Sequence, residues 1–277
     1  MSSRKIKVAC IQLRSSDDID WNVRQAVSLI RVAHKDGARF IATPENTTLM
    51  APDGGAKLEK SFAEKDDPAL PSFCALAKEL GTWLLIGSLA IKVSPTKTAN
   101  RSFLIAPDGS IEARYDKVHL FDVNLPSGET YRESNTVAPG DRAVVASLPW
   151  GRLGLSVCYD LRFPQLYRSL AKAGAEILTM PSAFTETTGK AHWHVLLRAR
   201  AIENACFVMA PAQGGEHANG RKTYGHSLIV GPWGDILAEG GIDPGVVAVE
   251  LDLDDIASAR GRVPALHHDR PFSPAGT

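Results

Sequence analysis

RLGLSVCYDLRFPQLYRSLAKAGAEILTMPS, residues Arg152–Ser182, is the stretch whose reading decides the fold class. Arg152 to Cys158 is apolar and short, the pattern of a buried strand. A helix over Pro164–Ala173 follows, then a second apolar strand over Ala175–Met180 that Pro181 stops. Strand, helix and strand in this order are the repeating unit of an α/β protein.

The same alternation extends in both directions. Upstream, Ile6–Leu13 is strand-like, and Asp20 is expected to cap a helix whose apolar positions are Trp21, Val23, Val27, Ile30 and Ala33, ended by Gly37. A short strand over Arg39–Thr43, a helix over Pro71–Leu80 closed by Gly81, and a buried strand over Thr82–Ala90 come next. Asp108-Gly109 between Arg101–Ala106 and Ile111–Lys117 is a strong hairpin signal. Downstream lie a helix over His192–Ala205, a strand over Cys206–Pro211, and the turn Pro232-Trp233-Gly234 between strands Gly225–Val230 and Asp235–Glu239. The pieces APDGSIEAR, from Ala106, and GPWGDILAE, from Gly231, share P-x-G-x-I-x-A. That similarity is either chance or the mark of two related halves of one sheet sandwich. No linker or low-complexity segment divides the chain, so residues 1–277 read as a single α/β domain.

Composition narrows the functional classes. The 277 residues hold 31 basic and 31 acidic side chains, a net charge of zero, which argues against nucleic-acid binding. Hydrophobic residues make up 44%, as in an ordinary globular protein. Met1–Lys7 is basic, but the apolar stretch behind it is too short and broken for a signal peptide. Trp83–Ile91 is too short to span a membrane. Cys10, Cys74, Cys158 and Cys206 lie far apart, with no disulfide framework or metal-ligand spacing. A cytosolic protein without metal or cofactor is expected.

Reactive residue types sit where strands stop, the place where α/β sheets gather ligands. Glu45 follows the strand ending at Thr43, Lys117 closes the strand after Asp108-Gly109, and Cys158 stands at a strand-to-helix corner. Each alone has a plainer reading: a cap or turn acid, a solvated edge lysine, a small buried hydrophobe. The amides of a helix start would lower the thiol pKa of Cys158. The long, poorly patterned stretch Val118–Arg142 is read as one wall of a site. His192 and His194, two apart on a helix, face different ways, and with no third ligand evident they read as packing residues. Arg198, Arg200 and Glu203 read as a charged helix face.

Glu, Lys and Cys in this order resemble the nitrilase, or carbon–nitrogen hydrolase, superfamily. The segments DKVHLFDV (from Asp116), ESNTVAPG (from Glu133), VCYDLRFPQLYR (from Val157), PSAFTETTGKAHWHVLLRARAIEN (from Pro181), YGHSLIVGPWG (from Tyr224) and VPALHHDRP (from Val263) place it closest to the Nit-type amidases. The resemblance implies a four-layer αββα sandwich and a thioester-forming Cys158. It makes Glu45 a general base whose pKa a dry pocket raises, and Lys117 an oxyanion donor together with the backbone of Tyr159. It further implies that Glu133 positions Lys117. Arg162 is the candidate to grip a substrate carboxylate, and Ser182, Phe184 and Thr185 are candidates to line the pocket. Relatives often carry an acidic residue where this chain has His194. The implied substrate is a small carboxylated amide, deaminated glutathione ahead of 2-oxoglutaramate. Nitrile or N-carbamoyl hydrolysis and a catalytically silent scaffold rank below these. Subunits are expected to pair as a homodimer through the helix holding Arg198, with the tail from Val263, including Pro264, Pro271 and Pro274, crossing to a partner.

Overall fold

The computed structural model describes residues 4–126, 128–218 and 220–273; Met1–Ser3 and Pro274 lie outside the described residues. The chain begins with β1 (Lys5–Gln12), α1 (Ile19–Lys35), β2 (Phe40–Ala42), α2 (Gly54–Glu59), α3 (Leu70–Leu80) and β3 (Trp83–Ser94). The hairpin β4 (Lys97–Ile105) and β5 (Ile111–Asp116) turns at Asp108-Gly109. The stretch read as a site wall carries three short strands, β6 (Asp122–Asn124), β7 (Thr130–Arg132) and β8 (Val137–Ala138). Then come β9 (Val144–Leu148), β10 (Gly151–Leu155), α4 (Pro164–Lys172), β11 (Ile177–Thr179), α5 (Glu186–Asn204) and β12 (Phe207–Ala210). Last are β13 (Gly214–Glu216), β14 (Lys222–Tyr224), β15 (Leu228–Val230), β16 (Ile236–Glu239), β17 (Gly245–Asp252) and α6 (Asp254–Arg262).

Two main sheets result, one in the order β17-β1-β2-β3-β4-β5 and one in the order β16-β15-β12-β11-β10-β9. Apart from β8, which pairs in parallel with β4 of the first sheet, their plans match strand for strand. β1, β2 and β3 are parallel and β4 and β5 antiparallel; β10, β11 and β12 are parallel and β15 and β16 antiparallel. The P-x-G-x-I-x-A pieces fall on the equivalent hairpins β4–β5 and β15–β16, so the internal similarity follows the topology. Period-two alternation sorts the faces. Val8, Cys10, Phe40, Ala42, Leu85 and Leu104 share a core with the second sheet. Their neighbours Ala9, Ile11, Ile41, Leu84, Ile86 and Phe103 pack on Ile30 of α1 and Phe73 and Leu76 of α3. Leu170 of α4 and Trp193 and Leu197 of α5 belong to the second sheet's core. Helix, sheet, sheet and helix therefore stack in four layers, an αββα sandwich.

Several local readings change. Asp18, not Asp20, caps α1: its side chain accepts the Trp21 N–H at 2.9 Å, while Asp20 lies in the first turn, where the helix dipole favours negative charge. α5 starts at Glu186, behind the cap Thr185, well before His192. β17 and α6 add to the elements expected from sequence; GVVAVELD is an apolar, β-branched run of the strand kind, and β17 pairs with β1 along eight residues. Arg200 is not part of a solvated face. It is buried, and its guanidinium donates to Leu161 O at 3.0 and 2.7 Å. The exposed positions of α5 include apolar Val195 and Ile202 instead. The tail folds back on its own α4, where Asp269 pairs with Arg168 and Lys172, and Phe272 projects 89% exposed.

Two glycines bring the sheets' loops close. A Cβ on Gly87 of β3 would lie 2.0 Å from Thr43 O and 2.6 Å from Pro44 O, beneath the turn that presents Glu45. One on Gly140 would lie 2.1 Å from Asp116 O, beside Lys117.

Candidate active site

β2 delivers the chain to Thr43-Pro44-Glu45 at its carboxyl end. Thr43 Oγ1 accepts the Gly87 N–H at 3.0 Å and meets Thr47 Oγ1 at 2.8 Å, and Asn46 turns through a left-handed φ of 56°. Those contacts aim Glu45 inward, where it is 3% exposed. Its Oε1 accepts from Lys117 Nζ at 2.9 Å and Asn100 Nδ2 at 2.8 Å; its Oε2 accepts the Ala183 N–H at 2.9 Å. Lys117, just past β5, is 2% exposed and also donates to Glu133 Oε2 at 2.9 Å. Glu133, the first residue of a 3-10 turn, accepts the Phe121 N–H at 2.7 Å, which fixes its carboxylate over Lys117.

The nucleophile candidate comes from the other sheet. Cys158 follows β10 with φ 50°, a left-handed conformation unusual for a non-glycine residue, and its N–H donates to Pro181 O at 3.0 Å. It opens a 3-10 turn over Cys158–Arg162, so Tyr159 sits where backbone N–H groups have no intrahelical acceptor. The thiol is within hydrogen-bonding reach of Glu45.

Charge balance sets the protonation states. Burial opposes ionisation of Glu45, but the Lys117 ammonium overcomes it and holds the carboxyl below the ordinary range. The expectation of a raised Glu45 pKa is therefore reversed, because the dry pocket contains a cation. Burial pushes the Cys158 thiol up, and the Glu45 charge adds to the rise, so the turn's amides do not make a resting thiolate. Burial likewise opposes the Lys117 charge, yet Glu133 and Glu45 together keep it protonated.

These groups open onto a cavity of about 570 Å³, lined also by Tyr159, Phe184 and Thr185 and by the cations Lys57, Arg132 and Arg221. Ser182 and Arg162 do not line it. Ser182 Oγ donates to Met180 O at 2.9 Å beneath the floor. Arg162 lies over the outer sides of Tyr159 and Phe184, its guanidinium 3.3 Å from His192 Nδ1. The cations of the cavity wall thus do not include the one four residues past the cysteine; Arg221, which donates to Ala183 O at 2.7 Å, comes from the β13–β14 hairpin.

Two buried polar residues gave no sequence signal of their own. Asn100 of β4 bridges Glu45 and, at 3.3 Å, Glu133. Asp160 accepts from Val157 N, Tyr115 OH, His119 N and His119 Nδ1 at 2.7–3.0 Å, which pins the cysteine turn to the β5 side. Its place two residues past a strand-end cysteine was the available hint. Asp160→Ala would strand these buried donors and is expected to cost about 3–5 kcal/mol. A urea titration showing under about 1 kcal/mol would remove Asp160 from this role.

The chain is similar to known proteins along nearly its whole length. Residues 7–261 match the family model for carbon-nitrogen hydrolase. The chain is 44% identical over 265 residues to deaminated glutathione amidase of Synechocystis, covering 94% of this chain and 96% of that one. It is 35% identical to omega-amidase NIT2 of Homo sapiens, covering 95% of each. The structure superposes on the C. elegans NitFhit protein with a TM-score of 0.91 at 35% identity, over 98% of this chain and 66% of that longer one. Among the described residues no helix is long and apolar enough to cross a membrane. A cysteine, a carboxylate and a lysine at the carboxyl ends of two matched sheets, with these similarities along nearly the whole length, lead to one conclusion: the chain belongs to the carbon–nitrogen hydrolase family.

Proposed function

We propose that the protein is a cysteine-dependent amidase whose substrate is deaminated glutathione, cleaved to 2-oxoglutarate and cysteinylglycine. The observation that carries this reading is the meeting of Glu45, Lys117 and Cys158 in one cavity whose wall bears Lys57, Arg132 and Arg221. Cations suit a substrate with a carboxylate at each end, and the cavity volume lies in the range of small-molecule sites.

In this reading the Cys158 thiol gives its proton to Glu45 as sulfur bonds to the amide carbonyl carbon. A resting thiol and an anionic base make the transfer unfavourable alone; it proceeds as the new C–S bond forms. The carbonyl electrons become an oxyanion, met by Lys117 Nζ and the Tyr159 N–H. The C–N bond then breaks as Glu45 passes its proton to the departing amine, leaving an acyl thioester. Water gives a proton to Glu45 and adds its oxygen to the thioester carbon. The C–S bond breaks, and Glu45 returns the proton to sulfur. Glu133 and Asn100 hold Lys117 and Glu45 in register throughout.

The similarity to omega-amidase supports a second reading, in which 2-oxoglutaramate is the substrate and ammonia the leaving group. The test follows 2-oxoglutarate release from both amides. Deaminated glutathione is expected to give the higher kcat/KM, and Arg221→Ala to raise its KM about tenfold, the loss of one charge-assisted bond. Faster turnover of 2-oxoglutaramate, unaffected by Arg221→Ala, would select the second reading. The exposed apolar residues Val195 and Ile202 of α5, with Trp233 and Val263, support pairing of two subunits through this face.

A further inference from the structure

His192 and His194 do diverge on α5, but two further ligands converge on His194 from elsewhere in the chain. His194 Nε2 lies 2.9 Å from Glu239 Oε1, and His226 Nδ1 lies 2.8 Å from that same oxygen. The donor atoms of all three residues fall within 4.8 Å of one another. This cluster lies outside the cavity lining and takes no part in the chemistry above.

The backbone holds these side chains in place. His226 has a left-handed φ of 54°, an unfavourable conformation for histidine that persists only when its surroundings enforce it. They do so from both sides: its N–H donates to Gly241 O at 2.8 Å, and its carbonyl accepts from Nε1 of buried Trp193 at 2.8 Å. Trp193 immediately precedes His194, so one buried residue orients both imidazoles. Tyr224 stacks on His226 at 4.4 Å and meets the His194 ring edge-on at 5.9 Å. Glu239 closes β16 with its side chain 34% exposed, so an ion has access from solvent.

We propose that His194, His226 and Glu239 bind one divalent cation of borderline softness, zinc foremost, with water as the remaining ligand. Two imidazoles and a carboxylate suit zinc, whereas magnesium and calcium take oxygen ligands. Zinc at its usual bond lengths sets ligand atoms about 3.3 Å apart. The two short contacts to Glu239 therefore open by a few tenths of an ångström as the metal replaces the bridging protons. The bound ion ties α5, whose first turn lines the cavity, to the β15–β16 hairpin.

Calorimetric titration with zinc chloride tests this on the chelator-treated full chain carrying Cys158→Ala, which removes the cavity thiol as a competing ligand. One equivalent per chain should bind, and a hundredfold excess over Kd should raise Tm by about 5 °C. His194→Ala and the near-isosteric Glu239→Gln should each weaken binding at least tenfold, His192→Ala should leave it unchanged, and magnesium should give no signal. Should His194→Ala unfold, His194→Gln takes its place. Absence of saturable zinc binding, or binding that survives Glu239→Gln or disappears with His192→Ala, would overturn the assignment.

Discussion

Cys158→Ala is expected to lower kcat/KM by at least about 10⁴-fold while shifting Tm by less than about 3 °C. Both halves of that result come from the geometry. In the proposed reaction the thiol is, among the described residues, the group placed to form the acyl bond, and nothing else in that mechanism accepts the acyl group, so residual catalysis would come from binding and the oxyanion donors alone. The fold, by contrast, holds this position through the backbone: the N–H to Pro181 O and the Asp160 contacts to Val157 survive the change. Alanine meets the same left-handed φ that cysteine already tolerates. Activity within tenfold of the starting protein would remove Cys158 from the nucleophile's role. A collapse in Tm would instead show that its sulfur is needed for packing.

Lys117→Met should be the more disruptive change, since it damages both chemistry and stability. The ammonium lies 2.9 Å from Glu45 Oε1 and 2.9 Å from Glu133 Oε2, and all three groups are largely withdrawn from water. Removing it leaves two buried carboxylates facing each other, at a cost of about 3–5 kcal/mol, and deletes the proposed oxyanion donor, a loss of about 10²–10³ in kcat. It also reverses a linkage. In the intact protein the Glu45 pKa lies below its ordinary 4.5, so its contribution to stability is present above that value and lost as pH falls through the folded pKa. Without Lys117, burial and the Glu133 charge raise the folded pKa above 4.5. The contribution is then present at low pH and lost as pH rises through the raised value. Urea midpoints between pH 5 and 8 should therefore decline with pH in the variant relative to the parent. Parallel profiles would mean that Lys117 does not govern the ionisation of Glu45.

The strand–helix order, the two hairpins and the Glu–Lys–Cys set were readable because each rests on local signals: apolar runs, glycine and proline punctuation, and reactive types at strand ends. The ionisation of Glu45 was not, since it depends on the distance to Lys117, which no local pattern encodes. Arg162 illustrates the same limit. Its proximity in sequence to Cys158 suggested the pocket, yet the turn carries its side chain outward over the aromatic rings, and Arg221 arrives from a distant hairpin instead. His194 shows no third ligand in the sequence because His226 and Glu239 lie on elements that only the folded sheet brings beside α5. Asn100, and Asp160 apart from its place two residues past Cys158, give no signal for a related reason: a buried polar residue is recognised by the donors around it, and those come from across the sandwich.

The matched plans of the two sheets have a consequence for how labour is divided. The β1–β5 half carries Glu45, the proposed proton carrier, and, just past its last strand, Lys117, while the β10–β16 half carries Cys158, the proposed nucleophile, and the backbone amide that anchors Glu45. Each half is a complete architectural unit and an incomplete reagent. A matched plan supplies scaffolding but no chemistry, because two halves alike in their side chains would offer two bases or two thiols; the proposed reaction rests on the places where the halves are unlike and face each other across a shared seam.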